Sequence, residues 1–266
     1  MIPKTLEEIA NYIVSDGKGI LAADESSGTI EKRFKSINVE STEDNRRKYR
    51  EMLFRSPVMA EAIGGVILFD ETLRQKSSDG DYLRNVILDH GSLPGIKVDQ
   101  GVKEFEGGSD EKITTGLDGL HERCQEYEKL GAKFTKWRAV INVSDEIPSN
   151  NCISENMNAL AEYALIAQQN NMVPIVEPEV IMDGSHSVER CHEVTNQTLL
   201  VLFEMLDKKM SILMELFLNQ IWLYQEQKIT TKPPLKKLQK KHFNVSNHLF
   251  QMNYLELFFY LVVSQT

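Results

Sequence analysis

Five short runs of Val, Ile, Leu and Phe, alternating with stretches of helical periodicity, set the tightest limit on how this chain can fold. The runs occupy residues 19–23, 65–69, 96–98, 134–141 and 173–176, and their starts lie roughly 30 to 46 residues apart. Between them, residues 43–54 form a charged amphipathic stretch, while residues 120–130 and 155–169 repeat apolar side chains at helical spacing. Strands alternating with helices at this distance indicate βα units and a parallel sheet. No Gly-x-Gly-x-x-Gly follows the first run, which weighs against a dinucleotide-binding fold and toward a β/α barrel. Five units are countable, whereas a closed barrel needs eight.

The pattern stops near residue 208. All 15 glycines lie at or before Gly184, and residues 208–266 contain no Gly, Ala, Asp, Arg or Cys. Of the formal net charge of −9, those last residues contribute eight Lys against three Glu, so the preceding part is strongly acidic. A folded domain uses Gly at turns and helix C-caps. The division expected is therefore residues 1–207 as one α/β domain and 208–266 as a foreign tail, either a low-complexity extension or a sequence not shaped by folding.

Composition removes several classes of function. The acidic balance argues against nucleic acid, which needs a basic face. Cys124, Cys152 and Cys191 are too few and scattered for a disulfide framework or metal cage, and the six His show no ligand spacing, so no metal is expected. No run approaches the length of a membrane span, and the N-terminus lacks a basic region followed by an apolar core. A soluble cytoplasmic protein without membrane contact is the expectation. The KKLQKK run at 236–241 reads as a solvated face.

Barrel strands carry their chemistry at their C-terminal ends. The first run leads into LAADESSGT, with Asp24, Glu25, Ser26 and Ser27. Period-two alternation puts Lys97 and Asp99 on one face of GIKVD, and Lys136 and Arg138 on one face of FTKWR with Trp137 opposite. PIVEPE supplies Glu177 and Glu179. Charges within buried strands are costly unless they pair or meet a charged ligand. Three cations (Lys97, Lys136, Arg138) facing three acids (Asp24, Glu177, Glu179) would suit a sugar phosphate, and clustered ammonium groups would depress one another's pKa. Ordinary surface ion pairs are the competing interpretation.

These segments resemble the class I fructose-bisphosphate aldolases. The resemblance runs along nearly all of residues 1–207 through GKGILAADES, NRRKYR, GGVILFDETL, GIKVDQG, TTGLDGLHERC, KWRAV and VPIVEPEV followed by DGSH. It implies a (β/α)8 TIM barrel, incomplete in this chain, and in the family a homotetramer. The implied reaction is metal-free and cofactor-free cleavage of fructose 1,6-bisphosphate to dihydroxyacetone phosphate and glyceraldehyde 3-phosphate through a lysine Schiff base. By the same resemblance, Asp24 positions substrate at the C4 hydroxyl, and Lys136 supplies positive charge beside the Schiff-base site. Glu177 is the acid–base group, and Glu179 pairs with the lysines. Lys97 and Arg138 lie near substrate oxygens and phosphate, with Ser26 and Arg33 toward the other phosphate. Which carboxylate takes the C4 proton stays open.

The family's nucleophile lies in a motif close to G-T-L-L-K-P-N-M, about 40 residues after VEPE. Here that place reads ELFLNQIW, and Asn219 stands where the lysine is due. An amide cannot form an imine. Codons compatible with residues 210–223, read one base off frame, permit V-Y-F-N-G-T-F-L-K-P-N-M-V. At the same offset, residues 233–243 permit T-P-E-E-V-A-E-K-T-L and residues 255–265 permit G-T-F-F-L-S-G-G-Q-S, which resembles the family's phosphate-binding segment. The tail therefore reads as an out-of-frame translation of an aldolase gene, with strands seven and eight missing and little order or only helix expected. Two classes of function follow: a Schiff-base aldolase by lineage, or an inactive remnant that binds sugar phosphate or aldolase subunits.

Overall fold

The computed structural model describes residues 3–15, 17–105, 110–209 and 217–218. Six strands make one parallel sheet, in which each strand lies beside its predecessor in the chain. They are β1 (Gly19–Ala23), β2 (Ile63–Leu68), β3 (Leu93–Lys97), β6 (Phe134–Ile141), β7 (Val173–Val180) and β8 (Phe217–Leu218). Between β3 and β6 sits a separate antiparallel hairpin of β4 (Val102–Glu104) and β5 (Lys112–Thr114). The sheet curls into part of a β/α barrel, in line with the expected incomplete TIM barrel.

Residues 19–23 and 134–141 form strands within the bounds read from the sequence, and residues 43–54 form α3 (Glu43–Phe54). β7 runs past Val176 to Val180 despite Pro174 and Pro178, because β6 pairs with it over all eight residues. α8 (Asn150–Gln169) begins five residues before the apolar repeat. Its N-cap Ser149 accepts a hydrogen bond from the Cys152 amide at 3.1 Å, and Cys152 and Ile153 are already buried. α7 (Leu120–Lys129) and α9 (Val188–Lys208) complete the outer layer with α8, and α6 (Leu83–Asp89) packs beside β3. α2 (Ser27–Ser36) follows β1, and α4 (Val58–Ala62) and α5 (Asp70–Arg74) flank β2.

Alternation along the strands separates two environments. Val66, Leu68, Ile96, Trp137, Ala139 and Val176 point outward into one large core shared with the helices. The opposite face forms a second cluster, where Ile67, Leu93, Phe134, Val173 and Ile175 meet Ile9, Ala10 and Ile13 of α1 (Leu6–Ile13). α1 thus packs the inner face near the N-terminal ends of the strands. Its first turn is held by a reciprocal capping box, in which Thr5 Oγ1 accepts from the Glu8 amide and Glu8 accepts from the Thr5 amide. Tyr12 Oη donates to the Gly91 carbonyl at 2.7 Å. The approach is so close that a Cβ at Gly64 would lie 2.0 Å from the Ile13 carbonyl oxygen; between β3 and β6, one at Gly95 would lie 2.3 Å from the Phe134 ring.

The inner-face parity then continues upward. Counting by twos from Phe134 gives Lys136 and Arg138, and from Val173 and Ile175 gives Glu177 and Glu179. Beneath lies an apolar layer sealed by α1, and above it a charged layer at the strands' C-terminal ends.

Candidate active site

Lys136 occupies the centre of the charged layer. It is 7% exposed, with Nζ 2.9 Å from Glu177 Oε2 and 3.2 Å from Asp24 Oδ2. Burial alone would lower its pKa, but Asp24 and Glu177 outweigh that and raise it, so the amine stays protonated. The expected depression of a lysine by neighbouring ammonium groups does not apply here, because carboxylates surround this amine. Glu177 is 1% exposed. Burial pushes its carboxyl up to about 7 against the attraction of Lys136, with Glu179 and Asp24 adding repulsion. A group poised there can hold or release a proton near neutral pH.

The remaining charges pair differently from the sequence expectation. Arg138 Nη1 lies 2.9 Å from Glu179 Oε2, so Glu179 serves the arginine rather than the lysines. Lys97 is neutralised on its own segment by Asp99, to whose carboxylate and carbonyl Nζ donates. The reason is local: Asp99 is only two residues on in the chain. Asp99 also accepts from the Arg138 and Gly101 amides, each at 3.3 Å, and so ties the end of β3 to β6. Although present in GIKVD, Asp99 has this bridging position only because β3 and β6 are adjacent.

Ser26 is the N-cap residue of α2, with Oγ 3.1 Å from Thr29 Oγ1. Arg33, on the same helix, reaches back to Glu25, Nη1 to Oε1 at 2.6 Å. Both stand beyond the end of β1, the strand that carries Asp24. Asp24, Lys136 and Glu177 are thus brought into direct contact, Arg138 and Glu179 form a second pair, and Arg33 is held by Glu25. The expected place of the nucleophile, Asn219, lies outside the described residues. The residues immediately before it, Phe217 and Leu218, pair in parallel with Ile175 and Val176 of β7.

Sequence reasoning missed Arg50 of α3. It is wholly buried, donating from Nη2 to the Glu25 carbonyl at 2.7 Å and from Nη1 to Thr72 Oγ1 at 2.5 Å. Arg46, one turn earlier, makes two hydrogen bonds to Glu71, at 2.6 and 2.8 Å. The available signal was spacing, since Arg46, Arg50 and the buried Phe54 recur at intervals of four on one helix face. Among the described residues, no group of three or more His, Cys, Asp and Glu is arranged to hold a metal ion, and no helix is long and apolar enough to cross a membrane.

The family model described as fructose-bisphosphate aldolase class-I matches residues 5–239. Named relatives agree. The probable fructose-bisphosphate aldolase class 1 of Xanthomonas campestris is 54% identical over 198 residues, which cover 74% of this chain and 59% of the relative. Human fructose-bisphosphate aldolase B is 53% identical over 205 residues, covering 77% and 56%. A crystal structure of the Plasmodium falciparum aldolase, in complex with TRAP and a small-molecule inhibitor, superposes with a TM-score of 0.85 at 41% identity, covering 90% of this chain and 70% of that one. The chain thus spans somewhat more than half the length of the curated relatives it matches.

Proposed function

The chain belongs to the class I fructose-bisphosphate aldolases, a family of carbon–carbon lyases, and on that footing we propose that it binds a sugar phosphate at the charged mouth without completing its cleavage. The observation that carries the reading is the contact of Lys136 with both Asp24 and Glu177 above a sealed apolar floor.

Cleavage of fructose 1,6-bisphosphate breaks the bond between C3 and C4. The C4 hydroxyl loses its proton, and the electron pair left on C3 must be taken up at C2. In this family the sink is an iminium formed by a lysine. The chain's own residues fit the supporting parts. In this reading Asp24 orients the C4 hydroxyl, and Lys136, held protonated, contributes positive charge to an oxygen leaving C2. Glu177 holds a proton near neutral pH and can pass it during dehydration. Arg138 and Lys97 face substrate oxygens or one phosphate, Ser26 and Arg33 the other. Glu179 orients Arg138.

By sequence spacing Asn219 stands where the imine lysine is due, and Lys136 is a poor substitute because two carboxylates keep its amine protonated. Translation in the offset frame would restore the lysine and with it the lyase. Cytoplasmic residence belongs to the same proposal, two Arabidopsis thaliana relatives being named as cytosolic. So does association with intact aldolase subunits, through the surfaces the family uses to form its homotetramer.

The test is borohydride trapping. Purified chain is mixed with dihydroxyacetone phosphate, reduced, and weighed intact, beside a control translated in the restored frame from residue 210. The expected result is an adduct on the control only, with calorimetric binding of fructose 1,6-bisphosphate by both. An adduct on the chain itself would overturn the reading and direct attention to Lys136.

A further inference from the structure

We propose that Arg50 is a positioning residue for Arg33, acting through Glu25. The inference rests on the reading that the mouth binds a sugar phosphate, and it concerns how one cation of that mouth is aimed.

Four side chains form a relay from α5, which follows β2, to the mouth. Thr72, in α5, accepts from Arg50 Nη1 at 2.5 Å, and the Glu25 carbonyl accepts from Arg50 Nη2 at 2.7 Å. The same guanidinium lies 3.7 Å from Glu25 Oε2. On its other oxygen, Glu25 accepts from Arg33 Nη1 at 2.6 Å. Glu25 therefore sits between two guanidinium groups, one wholly buried and one 47% exposed.

Stability alone is a weak reason for a buried arginine at this place. Apolar replacements of buried ion pairs are often neutral or stabilising, and the neighbouring turn of α3 already buries Phe54. What an arginine adds is geometry. Its planar fork donates in two fixed directions, which a lysine cannot reproduce. Here the two directions join the segment after β1 to the segment after β2, and so fix the backbone that carries Glu25. A fixed Glu25 holds Arg33 ready, which removes part of the ordering cost that a long side chain incurs when an anion arrives. Arg50 itself is too buried to touch ligand.

The test follows modification of arginines by phenylglyoxal, read by peptide mass, in the wild type, Arg50→Lys and Thr72→Val. Expected is a rise of roughly threefold to tenfold in the rate at Arg33, the order for a loosened charge-assisted hydrogen bond. Arg74 and Arg138, comparably exposed, keep their rates. In parallel, Arg50→Lys weakens fructose 1,6-bisphosphate binding about fivefold when Arg33 is present and leaves it unchanged in an Arg33→Ala background, as coupled residues do. Equal changes at all three arginines, or equal losses of binding in both backgrounds, would make Arg50 a structural stitch and overturn the proposal. Should Arg50→Lys fail to fold, Thr72→Val, which keeps shape and removes one acceptor, decides the same question. A wild type that binds no fructose 1,6-bisphosphate while Arg33 still responds would sink the sugar-phosphate reading and leave the positioning role standing.

Discussion

Lys136 Nζ lies 2.9 Å from Glu177 Oε2, although the ladder pairs Lys136 with Ile175 and Glu177 with Arg138. The contact is a diagonal one on the inner face, within reach of a long side chain on neighbouring strands. It closes the charged layer over the apolar one and makes Lys136 and Glu177 depend on each other.

Removing the cation tests that dependence. Lys136→Met leaves Asp24 and Glu177 facing each other without a counter-charge. Urea unfolding at pH 8 should show a loss of about 3 kcal/mol, the scale for breaking one side of a buried pair. At pH 5 the loss should shrink, because Glu177, raised by burial to about 7, is then protonated and needs no counter-charge.

Glu177 gives a signed pH dependence. Its folded pKa of about 7 stands above the ordinary 4.5, so between those values the folded state binds more protons than the unfolded one. Stability from this group is complete below about pH 4.5 and is lost as pH rises through 7. Glu177→Gln should flatten that part of the stability profile by on the order of 1–3 kcal/mol. An unchanged slope in denaturant melts from pH 5 to 8 would show that Glu177 does not carry it.

Arg138 separates binding from stability. Its pair with Glu179 is half-exposed, and such pairs contribute about 1 kcal/mol or less. Arg138→Ala should leave the melting temperature nearly unchanged. Calorimetry should show fructose 1,6-bisphosphate bound about tenfold more weakly, the order of one lost charge-assisted hydrogen bond.

Two glycines should respond oppositely. Gly64→Ala drives a methyl into the Ile13 backbone carbonyl, which cannot swing aside, and should cost about 1–3 kcal/mol while exposing α1 to protease. At Gly28, in the first turn of α2, an added methyl meets nothing within 4 Å. Gly28→Ala should be neutral or stabilise by about 0.5–1 kcal/mol through the unfolded chain. Thermal melts of the two variants check both signs.

Much of this was legible in the chain. The spacing of residues 19–23, 134–141 and 173–176 indicated parallel βα units, and alternation put Lys97 with Asp99 and Lys136 with Arg138 on shared faces. The hairpin β4–β5 and the helix α1 escaped that reading, since three-residue strands and an eight-residue helix carry too little periodicity to stand out. α1 is fixed by what it packs against, namely Ile67, Phe134 and Ile175 from three different strands.

The sequence by itself determined which residues share a face, because the two-residue period of a strand is a local property of its backbone. Tertiary structure alone decided which charges meet. Lys136 meets Asp24, Glu179 turns to Arg138, and Arg50 enters from a helix to hold Glu25. Those partnerships depend on the order and register of strands far apart in the chain and on where α3 lies against their ends. Electrostatic energy falls off with distance, and distances between remote segments exist only once the fold has formed.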